Sequence, residues 1–241
     1  MKTYGIYSDF LSLRAAMEAQ MRTHLMSIKK RSEGIRRYRI EHSLRVAAIG
    51  IDVAQGAGLD AELLELGCLL HDIGKWDAQK PVDHGRAGAL IAEPLLLEAG
   101  IDAAEAHEVA QGIAMHTDGL WNMRPDKQGT KKDAHGTTYL TFDAEPTTLA
   151  RTIGDCDNID RYSTYRIFDT LQHFSFLELS SKEQKAWLRN YRGTLKEMQR
   201  YHCATEVAQK MWIDNLAFQD TYCQRLLTEI EAGTARASAT A

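Results

Sequence analysis

Only four prolines interrupt the 241 residues, and the four cysteines, Cys68, Cys156, Cys203 and Cys223, include no Cys-x-x-Cys pair. Scarce proline leaves room for long helices, because proline ends or kinks them. Scattered cysteine excludes a zinc ribbon and predicts free thiols in a reducing compartment. Apolar runs are only a few residues long, far below the roughly 18 that a membrane-spanning helix needs. No apolar N-terminal segment reads as a secretory signal. The formal net charge is -4, so no global positive field argues for a long nucleic acid as partner, although a small anion is allowed by local charge. Walker and dinucleotide motifs are also missing. These absences predict a soluble cytoplasmic protein acting on a small molecule, with self-association left open.

What the chain does have is apolar spacing of three and four almost throughout, which predicts an all-α fold. Phe10, Leu13, Met17, Met21, Leu25 and Ile28 form one stripe, with Gly34 as its stop. Between Ile40 and Gln55 two stripes coexist, one through Ile40, Leu44, Ala47 and Ile51, the other through His42, Val46, Ile49 and Val53. A helix apolar on two sides is deeply buried. Gly56 and Gly58 end it, Asp60 caps the next helix, and a leucine run leads to His71. Asp83 is set to cap a short helix that Pro94 kinks or ends. Asp102 and Glu105 have capping-box spacing ahead of Val109, Ile113 and His116.

Residues 119–145 change character, with Gly119, Pro125, Gly129, His135 and Gly136 making a polar loop and 137–142 a short strand or hairpin arm. Pro146 suits the first turn of a helix carrying Leu149, Ile153 and Asp155. A second capping box, Ser180 with Glu183, opens a helical lobe running to about Ala232, and the small polar residues 233–241 predict a disordered tail. The expected organisation is an N-terminal helical segment over 1–39, a core over 40–165, a helical lobe over 166–232 and the tail.

The chemistry concentrates in Leu69-Leu70-His71-Asp72-Ile73-Gly74-Lys75, a His-Asp pair at the end of an apolar run. Buried imidazoles and carboxylates cost several kcal/mol unless paired or bound to a metal. His42, His84, His116 and Asp155 stand on other predicted helices, so folding has six candidate ligands to bring together. A lone histidine is more often a satisfied core residue, but an ordered set inside apolar patterns points to a metal site. Imidazoles with carboxylates suit one or two ions of Fe, Mn, Co, Ni or Zn better than magnesium.

The ordered set His42, His71-Asp72 and Asp155 resembles the HD superfamily of metal-dependent phosphohydrolases, over roughly residues 40 to 165. The resemblance implies an all-α HD-domain helical bundle with added N- and C-terminal helices. It implies a first metal on His42, His71, Asp72 and Asp155, and a second using His84 and His116, with His107 a rival to His116. It also implies hydrolysis of a phosphoester or phosphoanhydride bond in a small nucleotide-like substrate by metal-activated water. Lys75 would contact a phosphate oxygen, with Arg86, Arg161 and Arg124 as further substrate contacts, and Asp157 and Asp160 would support the ligands or position a base. The same ligand set is similar to that of the HD-type di-iron oxygenases. A non-catalytic regulatory protein on the HD fold is the third alternative.

Overall fold

The computed structural model describes residues 4–79, 83–117 and 145–239. Among these residues there are nine α-helices and a short 3-10 turn. Strands are absent from the described part, where Tyr4 and Tyr7 form an isolated bridge. The chain forms two compact units, Met1–Asn158 with Cys203–Ala208, and Ile159–His202 with Gln209–Ala241.

In the first unit, α1 (Phe10–Ser27) starts where the Asp9 side chain accepts from Ser12 N, and it buries Leu13, Met17, Met21 and Leu25. Four-residue spacing puts these on one face. Gly34 does not end this helix; it lies in the first turn of α2 (Glu33–Ala57), which Ser32 caps by accepting from Ile35 N. The true stop is Ser27, so the two helices are separate because a capping serine starts the second. α2 ends at Gly58, whose φ of 68° is a left-handed conformation natural to glycine. α3 (Ala61–Leu70) is capped by Asp60 and is buried from Leu63 to Leu70. Each of its five buried leucines contributes on the order of 1.5–3 kcal/mol by leaving water, which fixes the helix that delivers His71 and Asp72.

The chain then turns through Gly74. A Cβ there would lie 2.2 Å from the Gly88 nitrogen, so glycine lets α4 (His84–Glu98) cross the turn backbone against backbone. Pro94 stands inside α4 rather than ending it. The carbonyl that its missing N–H leaves unbonded belongs to Leu90, whose exposure lets water take that role. The Asp83 side chain makes no capping bond and instead pairs with Arg86 at 3.0 Å. α5 (Ala103–Met115) is capped by Asp102, and α6 (Thr148–Arg161) begins two residues after Pro146. The expected loop and hairpin arm over 119–145 lie outside the described residues, apart from Glu145.

The second unit contains α7 (Thr164–His173), the 3-10 turn Phe176–Glu178, α8 (Ser181–Met198) and α9 (Glu206–Ala239) from Gln209 onward. Ile167, Phe176, Leu188, Cys223 and Leu227 make its core, against which Trp187 and Tyr191 stack with ring centroids 4.9 Å apart. Ser180 and Glu183 form the expected capping box. The lobe is nonetheless two helices, broken over 199–205 without glycine or proline. Trp212 Nε1 closes α8 by donating to Met198 O at 3.1 Å. At its other end α9 continues past Gly233 to Ala239, where composition predicts a tail. Ala235, Ala237 and Ala239 are strong helix formers and offset the glycine.

Candidate metal centre

Five elements of the first unit deliver six buried polar side chains to one place. His42 comes from the middle of α2, His71 and Asp72 from the turn after α3, His84 from the first residue of α4, His116 from the residue after α5, and Asp157 from α6. Asp72 stands between two histidine pairs. Its Oδ2 is 3.5 Å from both His42 Nε2 and His71 Nε2, whereas its Oδ1 is 2.8 Å from His84 Nε2 and 3.7 Å from His116 Nε2. Within each pair the Nε2 atoms are 3.2 Å apart. Asp157 Oδ1 stands with the first pair, 3.2 Å from His42 Nε2 and 3.9 Å from His71 Nε2.

The tautomers of two of these rings follow from their partners. His71 Nδ1 lies 2.7 Å from Cys68 O and His116 Nδ1 lies 2.6 Å from Ile113 O. A carbonyl only accepts, so each Nδ1 carries the hydrogen and each ring turns its Nε2 inward, a lone pair in the neutral form. Burial, reinforced by the neighbouring His84 and His71, pushes the His116 pKa down to about 3, and that ring is neutral near pH 7. Burial alone would raise the Asp72 carboxyl, but Arg39 first and Lys75 next hold it well below the usual carboxylate range. Arg39 Nη1 pairs with Asp72 Oδ2, and Lys75 Nζ is 3.4 Å from Oδ1 and 3.0 Å from His84 Nε2.

These features fit a metal centre on their own chemistry. Buried Asp72 Oδ1 has no hydrogen-bond partner among the described residues, although His84 Nε2 lies 2.8 Å away. An orphaned carboxylate oxygen facing imidazole lone pairs costs free energy that a cation would remove. Two donor triads meet the spacing for one ion, His42 with His71 and Asp157, and His71 with Asp72 and His116, all buried.

The geometry sets one expected member apart from the histidines. Asp155 is buried but accepts from Ala204 N at 2.7 Å, tying down the segment that leads into α9. Asp157, two residues on, meets the histidines. On a helix two residues are about 200° apart, so the two carboxylates point to nearly opposite sides. The sequence did hold the signal, since Leu149, Ile153 and Asp157 share four-residue spacing whereas Asp155 breaks it. Gly154, one turn before Asp157, also backs onto His116, where an added Cβ would stand 3.4 Å from the His116 Cα.

Arg39 was missed altogether. It precedes His42 by three residues and therefore shares its edge of α2. His107 is exposed and pairs with Glu93 at 3.0 Å, which leaves His116 as the member that joins the cluster. Arg86 Nη1 pairs with Asp83. Arg124 lies outside the described residues, and Asp160 and Arg161 belong to the second unit.

Helices presenting a histidine, a His-Asp pair and a later aspartate to one point define a class of fold. Residues 39–162, more than half of the chain, match the family model described as HD domain, and the chain belongs to that family, a metal-dependent hydrolase superfamily. The fold is also similar, at a TM-score of 0.56, to the 1.45 Å crystal structure of a predicted HD superfamily hydrolase from an uncultured Thermotogales bacterium. The two chains are 21% identical over 88% of this one and 91% of the other. No curated protein matches the chain. None of the helices in the described residues is long and apolar enough to cross a membrane.

Proposed function

We propose that this protein is a phosphohydrolase that cleaves a phosphoester or phosphoanhydride bond in a small nucleotide-like substrate. The observation that carries the reading is the division of Asp72, with Oδ2 facing one histidine pair and Oδ1 facing the other. His42, His71, Asp72 and Asp157 would hold a first ion, and Asp72, His84 and His116 a second, drawn from Fe, Mn, Co, Ni or Zn. When bound, the ions would supply an activated water and neutralise charge on the phosphoryl group.

The residues do the rest. Asp72 bridges the two pairs and stays ionised because Arg39 and Lys75 favour its charged form. The carbonyls of Cys68 and Ile113 orient His71 and His116, so the lone pairs are aimed before a ligand arrives. Lys75 and Arg39 stand beside Asp72 as flanking cations whose N–H groups suit the oxyanion of a phosphate substrate.

Elemental analysis of the purified protein, followed by an anaerobic screen of nucleotides and aryl phosphates with each ion added back, tests the reading. Phosphate release without oxygen is expected. Substrate loss that requires and consumes oxygen would replace the hydrolase with the oxygenase. A metal-loaded protein inert in both assays would leave a regulatory role.

A further inference from the structure

Resting on the phosphohydrolase reading, we infer that the substrate is an oligophosphate, a molecule whose phosphate chain extends beyond the bond that is cleaved, and that its outer phosphates lie along a cationic strip running from Asp72 to the junction of α1 and α2. Residues 29–39 hold Lys29, Lys30, Arg31, Arg36, Arg37 and Arg39 against one carboxylate, Glu33, in a chain of net charge -4. A run of charge is usually a solvated face. Three observations set this one apart.

First, Arg36, Arg39 and His42 follow one another at three-residue intervals on α2. Each step moves about 4.5 Å along the helix and about 60° round it, so the strip ends at the metal centre, where Arg39 meets Asp72. Second, Lys30 crosses to the same turn that carries Lys75: its Nζ donates to Trp76 O at 2.8 Å, one residue beyond Lys75, which stands 3.4 Å from Asp72 Oδ1. Third, two guanidinium groups keep an unspent donor. Arg36 Nη1 donates to Met26 O and Arg39 Nη1 to Asp72, yet buried Arg36 Nε and Arg39 Nε have no hydrogen-bond partner among the described residues. A buried N–H left unpaired is costly, and a phosphate oxygen is the acceptor that guanidinium geometry suits best.

The nearby carboxylates do not cancel the strip. Asp77 is engaged by His24 at 2.9 Å, and Glu33 and Glu41 are exposed to water. Arg39 and Lys75 are the cations that contact Asp72. Lys30 and Arg36 stand further out, where only a longer chain of phosphates would meet them.

The test compares orthophosphate with inorganic tripolyphosphate, titrated calorimetrically into the metal-loaded protein in buffer with excess free Mn2+. Tripolyphosphate should bind at least about tenfold more tightly, the worth of one charge-assisted contact. Lys30→Ala and Arg36→Ala should each bring that ratio toward one, whereas Lys182→Ala, in the second unit, should keep it. Lys30 is exposed, so its variant remains informative even if the loss of the Met26 contact unfolds the Arg36 variant, which thermal melting would reveal. Equal affinity for the two anions in the parent, or an undiminished ratio in Lys30→Ala, would overturn the inference and spare the phosphohydrolase reading. Failure of the metal-loaded protein to bind orthophosphate at all would overturn both. Stronger competition from a single-stranded oligonucleotide than from tripolyphosphate would reassign the strip to a nucleic-acid strand.

Discussion

The two sides of Asp72 are built from the same parts in unequal measure. On the Oδ2 side stand His42, His71, Asp157 and the Arg39 guanidinium; on the Oδ1 side stand His84, His116 and the Lys75 ammonium. The first pair meets two carboxylates and the second meets Asp72. Anionic donors are what hold a divalent cation most strongly at low dielectric. Supports differ too, because His42 lies well inside the 25-residue α2, whereas His84 opens α4 and His116, like His71, follows the end of its helix. The lesson is that a first ion would be a built-in part of the fold and a second would exchange more readily.

The most damaging way to break this comparison is to remove the residue common to both sides. Asp72→Ala should reduce the metal-to-protein ratio to near zero and turnover by about a thousandfold or more, since both ions and their charge compensation go together. Circular dichroism should keep its helical signal, because the buried leucines of α3 are untouched. A variant that retained the parent's metal content would remove the bridging role of Asp72.

Smaller substitutions should separate the sides. His84→Ala and His116→Ala should each release the more exchangeable ion, lower the ratio by about one and slow turnover by roughly a hundredfold, whereas His42→Ala should empty the centre. Elemental analysis after dialysis against a weak chelator reads the difference. Equal losses from all three variants would mean that the halves are equivalent.

The aspartates of α6 sharpen the same comparison. Asp157→Asn should weaken metal retention, because it removes the second carboxylate of the His42 side. Asp155→Asn should keep the metal and instead destabilise the fold by about 1–3 kcal/mol, the usual effect of disturbing a buried charged acceptor, since its carboxylate holds Ala204 N. Urea denaturation alongside elemental analysis distinguishes the two. Metal loss confined to Asp155→Asn would restore the assignment that spacing to the family pattern suggested.

That exchange of neighbours shows what was legible and why. The helical class and the inward placing of His42, His71 and His116 followed from apolar periodicity, because ligands that interrupt or end an inward stripe must face the core. The caps at Asp60 and Ser180 followed from local residue types, and His84 joined the set through the family resemblance. Asp155 was preferred to Asp157 by pattern matching, although four-residue spacing from Ile153 pointed to Asp157. Arg39 was passed over because an arginine among exposed arginines looks solvated; only the closeness of α2 to the turn after α3 sets it against Asp72. The break over 199–205 had no glycine or proline to announce it. It exists because Tyr201 and Trp212 pack together, with rings 5.8 Å apart, and Asp155 captures the backbone at Ala204. Such tertiary demands leave no local trace.

The gentlest probe of the comparison is pH, read on the metal-free protein. His116 is held down to about 3 from its ordinary 6.5 by burial and by its histidine neighbours. Between those values the unfolded chain takes up a proton that the folded chain refuses, so stability falls as pH drops below 6.5 and the loss levels off near 3. The depressed Asp72 carboxyl acts in the same direction below its ordinary 3.8, where the folded state again binds fewer protons. One such proton sets a slope of at most about 1.4 kcal/mol per pH unit. Urea midpoints between pH 7 and pH 4 should therefore decline, and His116→Gln, which cannot take up the proton in either state, should flatten the decline between pH 6 and pH 4. A parent and variant with parallel slopes would show that His116 titrates normally when the ions are absent, and would remove the argument that the Oδ1 side is arranged for a cation in advance.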